Sequence, residues 1–327
     1  MTPVWNEELQ QWGYHYYEDV IQGEWWGIDR GARVKTICYY HRNCFDGMAA
    51  AWVVRRYLMS TQLDGPNTWE FIPVQYGDSK IINGLMQDCY ENANINDNYI
   101  IVDFSFPREL MKMMDSKAKS MLVLDHHKTA QENCDGLEFC VFDMNQSGAG
   151  LAWRHFFPDE TVPRLIQYIE DRDLWRFNLH SSNYVNAYIQ SFPMTFEDYD
   201  MLYETLEQSD GFMDAQMAGM AIERYKASMV KAICGNAVIR SIFGHKVPVV
   251  NTTLLFSEVG HELCKLYPAH PFSVSFFIRQ DDKIQYSLRS IGDFDVSTIA
   301  RVGGGGGHKN AAGFESHIQV DVEPVHI

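Results

Sequence analysis

From Val34 onward, apolar residues fall into short runs separated by mixed stretches of good helix formers. "VKTICYY" (34–40), "FIPVQY" (71–76), "NYIIVDFS" (98–105) and "SMLVLD" (120–125) are rich in β-branched and aromatic residues and predict strands. "MAAAWVVRRYLM" (48–59) and "RELMKMMDSKAK" (108–119) predict helices between them. This alternation implies right-handed βαβ units and a mostly parallel sheet. "VPRLIQYIEDRDLWRF" (162–177) reads as a helix entering an acidic turn, and a long helical region follows over roughly 195–235. A second strand-rich block starts near Ala237 and includes "VPVVNTT" (247–253), "FSVSFFIR" (272–279) and "IQYSLRS" (284–290). The expected fold class is therefore α/β. An N-terminal domain (34–195) holds a mostly parallel sheet flanked by helices. A helical connector (196–236) leads to a smaller C-terminal α/β domain (237–327), with a cleft between the two. Residues 1–33, with "WNEELQQWGYHYYEDVIQGEWW", predict a helical, aromatic-rich extension packed on the main body.

Composition narrows the class. A chain of 327 residues, 46% hydrophobic and 21% charged, is long enough for two folded domains. It has no apolar run of the length, about eighteen residues, that a membrane span needs. Its polar start lacks the basic and apolar regions of a secretory signal. Seven cysteines without a CxxC pair suggest reduced thiols and a cytoplasmic setting. A formal charge of −16 argues against a protein that coats long nucleic acid through a general basic field. It leaves open a small phosphate-bearing substrate, because bound divalent cations would reverse the local sign.

In parallel sheets, functional groups collect at the carboxyl ends of the strands. His41, Asp103 and the run Asp125-His126-His127 each stand at such an end. Asp46 follows the first strand, and Asp171 or Asp173 would arrive from the acidic turn. Each has a bland alternative: Asp46 as a helix cap, His41 as a structural histidine, Asp103 as a turn residue, Asp171 or Asp173 as the partner of Arg172 or Arg176. Three consecutive polar groups at a strand end, however, need partners. Imidazoles and carboxylates together suit divalent ions. There are more of them than one ion requires. Two ions about 3.5–4 Å apart, sharing a carboxylate, would use them fully and activate water for in-line attack on phosphorus.

"VLDHHKTA" (123–130) resembles the signature of the DHH phosphoesterase superfamily. "YHRNCFDGMAAAW" is similar to its first motif, "IIVDFS" to its second and "YIEDRDLW" to its fourth, while "GGGGGHKNAAGF" resembles the GGGH signature of the accompanying DHHA1 domain. The resemblance covers roughly residues 34–318. It implies His41, Asp46, Asp103, His126 and Asp171 as metal ligands, with Asp103 as the bridge. Asp125 would be a ligand or would fix a histidine tautomer, and His127 would stabilise charge at the scissile phosphate or protonate the leaving oxygen. Gly305, Gly306 and Gly307 would let backbone N–H groups approach an anion, with His308 and Arg289 holding a terminal phosphate. The implied cofactors are two divalent cations, foremost Mn²⁺, with Mg²⁺ as another choice. The implied function is hydrolysis of short single-stranded oligonucleotides or small nucleotides to mononucleotides, with no membrane partner. Association as a homodimer stays open.

One departure stands out. Many relatives read H-x-x-x-D-x-D in the first motif, whereas this chain reads His41-Arg-Asn-Cys44-Phe-Asp46, one residue shorter and one carboxylate poorer. Cys44 would replace it as a soft ligand, or is merely a small buried residue; Asp173 is a further substitute. A cyclic-dinucleotide phosphodiesterase is the nearest rival, and a nucleotide binder without catalysis is the rival from another class. A long-strand exonuclease is disfavoured by 43 acidic residues against 27 basic ones. For Trp25, Trp26, Trp175 and Phe177, core packing is the expectation over stacking on bases.

Overall fold

A computed structural model describes residues 4–6, 11–13, 34–61, 69–91, 97–279, 281 and 283–316. The chain divides into two units, Met1–Arg33 and Val34–Ile327. In the first, β1 (Val4–Asn6) pairs antiparallel with β2 (Gln11–Gly13), Trp5 lying opposite Trp12. These stretches are extended where the sequence predicts a helix, in keeping with the preference of Val and Trp for extended backbone. Trp25 and Trp26 lie outside the described residues.

In the second unit the parallel sheet expected from the apolar runs is formed by β3 (Thr36–His41), β4 (Trp69–Val74), β5 (Asn98–Val102), β6 (Ser120–Asp125) and β7 (Cys140–Phe142), ordered β4-β3-β5-β6-β7. The connecting helices are α1 (Phe45–Thr61), α2 (Ser79–Glu91), α3 (Arg108–Asp115) and the short α4 (Gln131–Cys134). Because side chains alternate along a strand, both faces of the sheet are apolar. Cys38, Ile100, Val102 and Leu124 face one core with α1, whereas Tyr39, Tyr99, Ile101 and Val123 face the other with α3. β3 has β4 on one side and β5 on the other, so connections leave it in opposite directions. The crevice at such a switch point opens at the carboxyl ends of β3 and β5.

Four helices follow β7: α5 (Gly148–Phe156), α6 (Arg164–Asp173), α7 (Ser182–Ile189) and α8 (Phe196–Glu207); the long α9 (Ser209–Cys234) comes next. The region read as a helical connector packs on the first domain at its start. Tyr199, Leu202, Leu206 and Ala215 are buried in the same core as Trp52 and Trp153. Their apolar residues recur at helical spacing, so one face had to be covered, and α1 and α7 cover it.

The second lobe holds β8 (Val238–Ile242), β9 (His245–Asn251), α10 (Phe256–Leu266), β10 (Ser273–Ile278), β11 (Ile284–Arg289), α11 (Val296–Val302), β12 (Gly306–Gly307) and β13 (Ala311–Ser316). Its sheet runs β12-β13-β11-β10-β9-β8, with only β9 and β10 parallel. Polar clasps close this lobe onto the first. Lys128 pairs with Asp295, Gly307 N–H donates to Thr129 Oγ1 at 3.2 Å, and Arg172 pairs with Glu258 at 2.7 Å.

Burial would raise the Glu258 pKa, but Arg172 and Lys226 outweigh it and hold the carboxyl below its ordinary 4.5. A depressed acid stabilises above its unfolded value, and the gain is lost as pH falls through the folded one. Glu258→Gln is therefore expected to cost about 1.5–3 kcal/mol at neutral pH. The gap between the wild-type and variant melting curves should close as pH drops below about 4.

Candidate metal centre and cleft

β3 ends on His41, and a turn with Asn43 in the left-handed region (φ 57°) delivers Cys44 and then the first turn of α1. β5 ends on Val102, and Asp103 follows at φ 53°, its N–H donating to Leu124 O at 2.9 Å. Asp tolerates this conformation better than most residues because its short polar side chain bonds locally. β6 ends on Asp125, with His126 and His127 immediately after. The three strand ends thus bring His41, Asp103 and the DHH run together at the predicted crevice.

Asp103 lies at the centre. Its Oδ1 is 3.0 Å from His126 Nε2, and its Oδ2 is 3.4 Å from His41 Nδ1 without a hydrogen bond between them. His126 Nε2 also stands 3.8 Å from Asp46 Oδ2 and 3.7 Å from Asp173 Oδ2. Asp46 does not cap its own helix. It accepts from Gly148 N–H at 2.6 Å and Ala149 N–H at 3.2 Å, at the positive end of α5. Asp125, fully buried, accepts at Oδ1 from His126 N–H (2.7 Å), His127 N–H (3.1 Å) and His127 Nδ1 (2.9 Å). That bond fixes a proton on His127 Nδ1 and leaves Nε2 for another partner.

The electrostatics follow from crowding. Burial and the neighbouring Asp103 charge push Asp46 well above its ordinary range, and burial raises Asp173. Burial would lower His126, yet Asp103, Asp173 and Asp46 together push it up to about 10. Asp103 stays low, since the hydrogen bond from His126 and the neighbouring imidazoles outweigh its desolvation. One histidine is thus shared by three carboxyl groups, Asp46 and Asp103 buried and Asp173 half-buried. Four buried atoms here, His41 Nδ1, Asp103 Oδ2, His126 Nδ1 and Asp173 Oδ2, have no hydrogen-bond partner. Buried polar atoms are rarely left so, and divalent ions would satisfy nitrogen and oxygen donors alike. His41, Cys44 and Asp103 offer ligand atoms within 4.8 Å of one another, and so do Asp46, His126 and Asp173. The donor set fits two ions with Asp103 between them.

Asp171 is not brought to this cluster. It accepts from Asn178 N–H at 2.9 Å, Leu179 N–H at 3.3 Å and Ser182 Oγ at 2.5 Å, tying down the turn between α6 and α7. Asp173, two residues further along α6, turns to the other side of the helix and takes the place expected for Asp171. Asp173→Asn is expected to weaken divalent-ion binding by at least about tenfold. Asp171→Asn should instead cost about 1–3 kcal/mol of stability and spare ion affinity. Calorimetric titration beside thermal melts separates the two.

The second lobe faces the cluster. His308 stacks on His127 (ring centroids 4.7 Å apart) and lies 5.0 Å from His126. A cleft of about 730 Å³ runs between the lobes, with His41, Cys44 and Asp46 on one wall and Ser257, Ser287 and Arg289 on the other. Arg289 donates to Ser257 Oγ at 2.9 Å and Leu288 O at 2.8 Å, and no carboxylate pairs with it among the described residues. Burial lowers it to about 10, so it remains a cation. The glycines serve differently from the expectation of free N–H groups for an anion. Gly305 N–H donates to Ala300 O and Gly307 N–H to Thr129 Oγ1. A Cβ on Gly305 would stand 2.0 Å from Gly313 O, so that glycine permits close backbone packing. Trp175 is 36% exposed, against the core packing expected, and meets His261 (5.4 Å) and Phe177 (4.9 Å) edge to face. Sequence reasoning did not single out Gly148, Thr129 or Ser257; Gly148 and Ser257 carry no motif signal, and Thr129, although inside "VLDHHKTA", matters only through its contact in space.

A parallel α/β sheet with a His/Asp cluster at its switch point, closed by a mixed-sheet lobe, defines the class of protein. Residues 258–321 match the DHHA1 domain family. The DHH domain of a protein assigned to a family of ribosomal proteins has a similar fold (TM-score 0.52, 13% identity, 86% of this chain and 82% of that one). The pGpG-specific phosphodiesterase PggH from Vibrio cholerae aligns at TM-score 0.42 and 16% identity, over 86% of this chain and 92% of its own. Uncharacterized protein R106 of Acanthamoeba polyphaga mimivirus is 28% identical over 303 residues, 85% of this chain; the chain spans 66% of the length of that relative. Residues 258–321 are therefore similar to DHHA1 domains, and the chain has the fold of a DHH-domain protein. Among the described residues, no helix is long and apolar enough to cross a membrane.

Proposed function

We propose that the chain is a divalent-metal-dependent phosphodiesterase that hydrolyses short oligonucleotides to mononucleotides. The observation that carries this reading is the cluster of orphaned buried donors around Asp103, facing a cleft whose opposite wall presents the guanidinium of Arg289. His41, Cys44 and Asp103 would hold one ion, and Asp103, Asp46, His126 and Asp173 the other. When bound, such ions supply Lewis acidity toward a phosphoryl oxygen and a water acidic enough to attack phosphorus.

The chain's own residues do the rest. Arg289 anchors a terminal phosphate, its planar fork matching the anion's oxygens. His127 carries its Nδ1 proton against Asp125 and presents Nε2 to the scissile phosphate, where the imidazolium stabilises charge and protonates the leaving oxygen. Burial would lower the His127 pKa, but Asp125 raises it, which favours the imidazolium whose second proton, on Nε2, passes to the leaving oxygen while Nδ1–H stays on Asp125. Closure of His308 over His127 excludes water from the reacting face. A cleft of about 730 Å³ lies within the range of small-ligand sites and suits a few nucleotides in place of a long strand.

The test is a substrate panel with Mn²⁺: labelled di- and pentanucleotides, long single strands and cyclic dinucleotides. Cleavage confined to short linear species supports the proposal. Cleavage of cyclic dinucleotides alone would reassign the substrate, and nucleotide binding without any cleavage would make the chain a binder.

A further inference from the structure

The loop after β3 reads His41-Arg-Asn-Cys44-Phe-Asp46, with Cys44 at its centre. In the structure, Cys44 lies with His41 and Asp103, each offering a ligand atom within 4.8 Å of the others. Asp103, 1% exposed, has Oδ2 without a hydrogen-bond partner, and His41 Nδ1 is likewise unpartnered. A cysteine that merely fills space packs among apolar groups. Cys44 instead borders the cleft beside His41 and Asp46. Burial and the charges of Asp103, Asp173 and Asp46 push its thiol up, so the free chain holds it as the thiol.

We infer that Cys44 is a thiolate ligand of the His41–Asp103 position, so that the two ion positions differ in kind; this rests on the metal-centre reading. On binding, the thiol proton passes to solvent and a sulfur–metal bond forms, with no change of oxidation state. Nitrogen, sulfur and oxygen at this position select borderline ions such as Zn²⁺, Co²⁺ or Fe²⁺. The position formed by Asp46, Asp103, His126 and Asp173 is oxygen-rich and takes Mn²⁺ or Mg²⁺. The centre is therefore heterometallic when both kinds of ion are supplied.

Co²⁺ titration of the metal-stripped chain, followed by absorption, tests this without any assay of activity. The wild type should bind two equivalents and develop a near-ultraviolet sulfur-to-cobalt charge-transfer band with one of them. Cys44→Ser should lose that band, keep the other site's visible bands, and bind Zn²⁺ more than about tenfold more weakly. Cys44→Asp should also lack the band but bind two Mn²⁺, which shows that the fold is intact. X-ray absorption of the zinc-loaded wild type should show one sulfur at about 2.3 Å. Two equivalents bound without the band, or a band that survives Cys44→Ser, would overturn the thiolate assignment alone. No Co²⁺ bound at all would overturn the metal centre itself, and the assignment with it.

Discussion

Asp103→Asn is expected to lower kcat/KM by at least about 10³-fold while leaving a folded protein. The size of the effect follows from position. Asp103 touches His126 through one oxygen and faces His41 with the other, so it stands between the His41–Cys44 side and the Asp46–His126–Asp173 group and would be shared by two ions. Altering a partner of a ligand typically costs about 10–100-fold, and a shared anionic ligand must cost more. Asparagine keeps the shape and accepts the positive φ of 53°, so the backbone has no reason to move. Metal content should fall from two ions per chain to at most one, measured on the dialysed protein beside a circular-dichroism melt. Full activity in the variant, or two ions retained, would remove Asp103 from the bridging role.

Gly148→Ala is expected to cost about 10²-fold in kcat/KM although it alters no ligand. A Cβ at Gly148 would stand 2.4 Å from Asp103 Cβ and 2.8 Å from its Cα, distances that real atoms do not reach. The first turn of α5 must back away, taking with it the N–H groups of Gly148 and Ala149 that hold Asp46. Displacement of a reacting group by about 1 Å costs roughly this factor, and overpacking adds about 1–3 kcal/mol of instability. Gly84, exposed on α2 with nothing within 4 Å of its Cβ position, is the control. Gly84→Ala should leave activity unchanged and stabilise by about 0.5–1 kcal/mol. Steady-state kinetics and melts on both variants decide the matter; equal activities would show that α5 does not position the centre.

The first lobe was legible because its signals are local. A buried parallel strand reads as an apolar run, and "SMLVLD" forms β6 over the same residues, Ser120–Asp125. Polar residues at the ends of such runs must meet at one edge of the sheet, which is why His41, Asp103 and the DHH run could be grouped before any geometry was known. What escaped depended on rotation and depth. Asp171 and Asp173 are two residues apart in a helix, and sequence alone does not tell which side of α6 faces the strands. The residues after 195 look like a linker until Tyr199 and Leu202 are seen in the core. The glycines before His308 suggest an anion site, but two of their N–H groups are spent within the protein.

The central claim is that this centre, with divalent ions, hydrolyses phosphodiester bonds. It is tested most directly by incubating the Mn²⁺-loaded chain with a labelled pentaribonucleotide in ¹⁸O-water, beside Asp103→Asn. Mononucleotides whose phosphate carries one heavy oxygen per cleavage are expected, formed only with the divalent ion and not by the variant. Intact pentanucleotide after incubation with a chain that holds both ions would contradict it.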